Sequence, residues 1–136
     1  MNNLVQRGQV LELEEHLRKY PQVELQTNHH FAPGVYVREL LIPAGTILTG
    51  KIHRYETMNI LISGEIRVTT DDGMQTLTGP MIFNSQAGTK KAAITITDTI
   101  WVNVHPTELT DLDEIETEFI APDYDALRQE DRKCLG

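Results

Sequence analysis

The rhythm of apolar and polar residues changes twice along this chain. Over residues 8–20, Val10, Leu11, Leu13 and Leu17 interleave with Glu12, Glu14, Glu15 and Arg18. That is helical spacing, with Leu13 and Leu17 as an i, i+4 pair, and Pro21 ends it. The Pro33-Gly34 pair makes residues 29–34 a turn. From there to residue 106 the pattern breaks into short segments rich in Val, Ile and Thr, at 35–42, 47–53, 58–62, 65–70, 75–77, 81–84, 92–97 and 99–105. Strands this short and evenly spaced, with Asp72-Gly73 as a hairpin signal, predict an antiparallel sandwich or barrel. Past Pro106 helical spacing returns. Leu112, Ile115 and Phe119 fall at i, i+3 and i+7 of an acidic stretch, with Thr110 placed to cap it and Asp111, Asp113 and Glu114 in its first turn. The chain therefore reads as mainly β: an N-terminal helix and turn (1–34), one β-barrel (35–106), and an acidic C-terminal helix ending in a loosely docked tail (107–136).

Charge sharpens this division. The 136 residues hold 20 acids and 12 bases, a formal net charge of −8. Residues 107–136 hold ten of the acids and three of the bases, leaving residues 1–106 at −1. The excess acid belongs to a solvated helix face and tail, and the barrel is nearly neutral. No basic face is available to neutralise a run of phosphates, so a nucleic-acid partner is not expected. Neither a membrane span nor a signal peptide is visible. Cys134, the single cysteine, allows no intrachain disulfide and reads as a free thiol. The expected compartment is the cytoplasm.

Two stretches of the β region resemble the paired motifs of the cupin superfamily. In the first, Gly45 and Gly64 bracket Lys51, His53 and Thr57, which stand where cupins place two histidines and a glutamate. In the second, Gly79 and Gly88 lead to Lys91, which stands where cupins place another histidine. The resemblance implies a double-stranded β-helix, the jelly-roll barrel, over roughly residues 35–106. Further strings are similar to those of small cupin-like proteins common in tailed phages and prophage-bearing bacteria. They are His29-His30-Phe31-Ala32-Pro33-Gly34-Val35-Tyr36, Ile42-Pro43-Ala44-Gly45-Thr46, Thr49-Gly50-Lys51-Ile52-His53, Gly88-Thr89-Lys90-Lys91-Ala92 and Trp101 with His105-Pro106-Thr107. That likeness implies a viral setting, and hence a host cytoplasm.

The aligned positions change the chemistry. Cupins that bind a metal do so with converging neutral imidazoles and a carboxylate. Here only His53 of the four is kept, and ammonium groups repel a cation. A divalent metal rebuilt from His53, Glu56 and His105 is the weak alternative, because Glu56 has the opposite strand parity to His53. The same substitutions favour an anion. Lys51 and His53 share a strand face and Lys91 faces them. Arg38, on the parity of Tyr36, Leu40 and Ile42, adds a planar fork for carboxylate or phosphate. Asn59 supplies a donor and an acceptor, and Trp101 and His105 share a face with Asn103 between them. Tyr36 and Thr57 complete the candidate ligand set. The blander readings are rim lysines, an Arg38–Glu39 surface ion pair, a core Trp101, and His29 and His30 packing a turn.

No catalytic triad, P-loop or dinucleotide fingerprint is present: Ser63 and Ser85 lack a nucleophile elbow. Three functions follow as expectations. The first is a non-catalytic barrel holding a small, anionic ligand, in a phage setting a nucleotide-like host signal, with no cofactor. The second is a metal-assisted or metal-free isomerase, epimerase or hydrolase working through His53 and His105. The third is a phage structural or interaction protein. Self-association into a homodimer or larger homo-oligomer through sheet edges is also expected.

Overall fold

The computed structural model describes residues 3–21, 24–70 and 72–125. The expected free thiol Cys134 and most of the acidic tail lie outside them. Helix α1 (Asn3–Leu17) is followed by β1 (Gln26–Ala32), β2 (Val35–Ile42), β3 (Ile47–Thr49), β4 (Ile52–His53), β5 (Thr57–Ser63), β6 (Glu65–Thr70), β7 (Gly73–Thr78), β8 (Met81–Ser85), β9 (Ala92–Thr95) and β10 (Thr99–His105). Helix α2 (Leu112–Phe119) and β11 (Ile120–Ala121) complete the order. A five-stranded sheet, β1-β2-β10-β5-β8, faces a four-stranded one, β3-β9-β6-β7, and a small ladder pairs β11 with β4. All pairings are antiparallel. The result is a mainly β jelly-roll barrel with a helix near each end, as the sequence predicted.

Strand alternation builds the interior. On β2, Tyr36 and Ile42 are buried, and Arg38 and Leu40 share their face, whereas Glu39 points outward to Asn28 and His30 of β1. The floor of the barrel is a packed apolar cluster of Ile42, Leu61, Ile66, Val68, Leu77 and Trp101. It sits where β2 turns into β3 through Pro43-Ala44-Gly45. Gly45 N donates to the Thr95 carbonyl there (2.8 Å).

Several boundaries differ from the expectation, each for a local reason. Residues 26–32 form a strand and not a turn, because all seven pair with β2 and only Pro33-Gly34 bend. Gly34 has φ +81°, a left-handed conformation that glycine adopts without steric penalty. The segment 47–53 is two strands: Gly50 N donates to the Lys91 carbonyl (2.8 Å), and the chain then leaves β9 to pair with β11. Asp111, not Thr110, caps α2, its side chain accepting from Glu114 N. Helix α1 lies some residues earlier than its apolar spacing suggested. It docks through Val10, 2% exposed, and through Glu14, whose carboxylate takes Thr49 Oγ1 and Lys90 Nζ, each at 2.8 Å.

The C-terminal helix packs the apolar side expected of it over one end of the barrel. Ile115 and Phe119 bury against Tyr36. Backbone bonds from β11 to β4 and from Arg54 N to the Phe119 carbonyl (2.8 Å) hold it there.

The turn at Gly64 tests the packing of the barrel. Gly64 has φ +100°, and a Cβ there would stand 2.5 Å from the Asp98 carbonyl oxygen and 2.7 Å from Thr99 Cα. Gly45, at φ +76°, has open space around it. Gly64→Ala is expected to lower unfolding free energy in urea by more than about 2 kcal/mol, and Gly45→Ala by about 1 kcal/mol. Equal losses would show that backbone conformation alone, without the close approach, sets the requirement at Gly64.

Candidate ligand-binding cavity

One cavity of about 470 Å³ lies between the two sheets. Its walls change from polar to apolar along the strands, and the register of β2 against β10 gives the order: Tyr36 opposite His105, Arg38 opposite Asn103, Leu40 opposite Trp101. The mouth holds Lys51, His53, Lys91, Arg38, His105, Tyr36 and His29, and the far wall holds Leu40, Ile42, Ile66, Val68, Ala93 and Trp101. Helix α2 roofs the mouth with Leu112, Ile115, Glu116 and Phe119.

Aromatic rings form a row along the mouth. Phe31 stacks on Tyr36 (5.1 Å between centroids), Tyr36 on His105 (5.7 Å) and His105 on His53 (5.8 Å), with interplanar angles of 27°, 14° and 12°. Such offset stacking fits the quadrupoles of the rings. Phe119 tilts onto His105 from α2 (4.7 Å). Tyr36 Oη and His29 Nδ1 share a hydrogen bond of 2.7 Å, and burial pushes the Tyr36 phenol up, with Arg38 opposing.

Both imidazoles in the row are held neutral. Burial, followed by the charges of Lys91, His105, Arg38 and Lys51, pushes His53 down to about 3. Burial and then Arg38 push His105 down to about 4. The Thr57 hydroxyl lies 3.1 Å from His53 Nδ1 and donates to the Tyr55 carbonyl at 3.0 Å. Because a hydroxyl has one hydrogen, Nδ1 of His53 is the donor to Thr57, and Nε2 is left as an acceptor.

Eight of the nine ligand-binding residues named from the sequence line this one cavity: Lys51, His53, Asn59, Lys91, Arg38, Tyr36, Trp101 and His105. Their local chemistry differs from the expectation in three places. Thr57 does not line the wall and instead supports His53 from behind. Asn59, 1% exposed, spends its polar atoms on the protein. Its Oδ1 accepts from Asn103 Nδ2 (2.6 Å) and Trp101 Nε1 (3.2 Å), and its Nδ2 donates to Ser85 Oγ (2.7 Å). It is a strut for the site. Lys51, on the rim, is ion-paired with Glu116 of α2.

Arg38 is not half of a surface pair with Glu39, which bonds His30 and Asn28 on the outer face. Lys90 points away to Glu14. His29, read as packing a turn, reaches the cavity because β1 continues through it. Its two-residue spacing from Phe31 was the available signal. Glu116 and Phe119 had none, since only tertiary docking brings α2 to the mouth.

The donors do not fit a divalent metal. Lys51, Lys91 and Arg38 stand beside His53 and place positive charge where a cation would have to sit. Glu56 is exposed and accepts from Asn84 Nδ2 (3.4 Å), away from the cavity. Among the described residues no cluster of three metal-ligating side chains occurs.

No protein-family model matches the chain, and no curated protein sequence matches it. Solved structures do. Ectoine synthase from P. lautus superposes with a TM-score of 0.57 at 17% identity, covering 76% of this chain and 79% of its own. KdgF from Halomonas sp. gives 0.54 at 14%, covering 70% and 90%. A cupin superfamily protein from Desulfitobacterium hafniense gives 0.52 at 12%, covering 64% and 81%. The fold is the cupin fold. At these identities the likeness concerns the cupin architecture alone, and chemistry has to be read from this chain's residues. Among the described residues no helix is long and apolar enough to cross a membrane.

The neutral histidines link the site to pH. The unfolded chain protonates them near 6.5, and the folded chain only near 3 and 4. Below 6.5 the unfolded state therefore binds more protons, and stability falls as pH drops toward 4. Urea midpoints measured from pH 7.5 to 4 are expected to decline with acid, and His53→Gln is expected to flatten that decline. An unchanged slope in His53→Gln would mean that His53 already titrates normally in the folded barrel.

Proposed function

We propose that this cupin barrel is a binding module that holds a small anionic ligand at its mouth, with Arg38 as the principal anchor. The observation that carries this reading is Arg38 itself. Its guanidinium lines the cavity, half-buried, and among the described residues it has no hydrogen-bond or ion-pair partner. A guanidinium withdrawn from water without a carboxylate loses solvation that a bound anion restores. Lys91 contributes a second positive charge on the cavity wall. His53 Nε2 and the Tyr36 phenol supply an acceptor and a hydroxyl for the rest of the ligand.

The same electrostatics favour binding over catalysis. A general base works best with a pKa near the operating pH. His53 and His105, pushed down to about 3 and 4, are poor proton acceptors at neutral pH. The cytoplasmic setting and the phage-type role in sequestering a nucleotide-like signal are extensions of this reading. They rest on sequence resemblance and on the cationic mouth.

Thermal unfolding in the presence of phosphate, succinate and nucleoside monophosphates tests the binding role. At least one anion is expected to raise the melting temperature. Arg38→Ala is expected to weaken that ligand by at least about tenfold, the size of one charge-assisted hydrogen-bonding group. Arg67→Ala, an exposed arginine on β6, is expected to change nothing. Stabilisation that survives in Arg38→Ala would overturn the assignment.

A further inference from the structure

The order of residues along the cavity says more about the ligand than its charge. We infer that the site takes an amphiphilic acid, an anionic head at Arg38 carrying a compact apolar body that lies against Leu40, Ala93 and Trp101. This rests on the anion-binding reading and adds the chemistry of the part of the ligand that is not the anion.

Three observations carry it. First, the cationic groups are confined to one end. Moving inward along β2 from Arg38, the next two residues on the same face are Leu40 and Ile42. Their neighbours across the cavity wall are Trp101, Ile66, Val68 and Ala93. Two-residue steps on a strand advance by roughly 7 Å each, so the backbone of the apolar section runs about 14 Å on from that of Arg38. Second, the donors nearest that section are already engaged: Thr27, opposite Leu40, donates its hydroxyl to the Leu25 carbonyl (3.4 Å). Trp101 Nε1 and Asn103 Nδ2 both donate to Asn59 Oδ1. A second charged or strongly polar group on the ligand would be desolvated there without a partner. Third, size limits the whole. At about 30 Å³ per water-sized group, 470 Å³ holds on the order of fifteen such groups. That accommodates a medium-chain or aromatic acid. A dianion charged at both ends does not match the charge order.

Calorimetric titration of the full chain with sodium butanoate, hexanoate and octanoate, with octanol and inorganic phosphate alongside, tests the inference. Affinity is expected to rise by about fourfold per added methylene across the three acids, the gain for burying one such group. Octanoate is expected to bind at least tenfold more tightly than octanol, and Arg38→Ala to remove that difference. Ala93→Leu, which intrudes on the apolar wall, is expected to weaken octanoate and spare butanoate. The wild-type series needs no variant to fold. If butanoate and phosphate bind as tightly as octanoate and depend on Arg38, the amphiphile inference fails and the anion site stands. If octanol binds as tightly as octanoate, the anion anchor fails. If none of these probes binds, both fail.

Discussion

The cavity depends on one buried carboxamide. Asn59 sits on β5 between β10 and β8, and its hydrogen bonds fix Asn103 and Trp101 on one side and Ser85 on the other. A buried amide must satisfy its donors and acceptors, and losing one partner costs more than the bond itself contributes. Asn59 therefore locks the rotamers of two cavity-lining side chains on β10. Asn103 lies directly opposite Arg38, and Trp101 opposite Leu40. The transition from a polar mouth to an apolar floor is set at this point in the barrel, one residue pair wide.

Around that strut the charges are arranged unequally. Glu14 neutralises Lys90 on the outside, Glu116 meets Lys51 at the rim, and Glu39 is occupied by Asn28 and His30 on the outer face. Among the described residues Arg38 has no such carboxylate. Its field reaches Tyr36, His53 and His105 and helps to keep both imidazoles uncharged. A chain with net charge −8 thus maintains a local excess of positive charge inside a barrel. Acidic helix α2 covers that mouth with its apolar side, Ile115 and Phe119, and brings a single carboxylate, Glu116, to its edge.

Much of this is legible in the order of the residues alone. Strands whose alternation is strong, such as β2, β6 and β10, have the boundaries their sequences predict. The place of Arg38 in the cavity wall follows from its parity with Tyr36, Leu40 and Ile42. The features that escape such a reading are those whose cause is distant in sequence. β1, with Asn28, His29 and His30 in its middle, lacks an apolar alternation and is a strand because β2 pairs with it. The break at Gly50 comes from the Lys91 carbonyl. The saturation of Asn59 depends on Ser85 and Asn103, far along the chain. The apolar stripe of the acidic helix is visible in the sequence, and only docking on Tyr36 shows what covers it. The cupin-like glycine framework points to the fold, while the lysines at ligand positions point away from a metal.

Diffraction from crystals soaked in selenate, recorded at the selenium absorption edge, tests the central claim most directly. An anomalous peak within hydrogen-bonding distance of the Arg38 guanidinium, facing Asn103 and the imidazole pair, is the predicted result. Peaks at exposed lysines with none at Arg38 would contradict the assignment of the barrel mouth as an anion site.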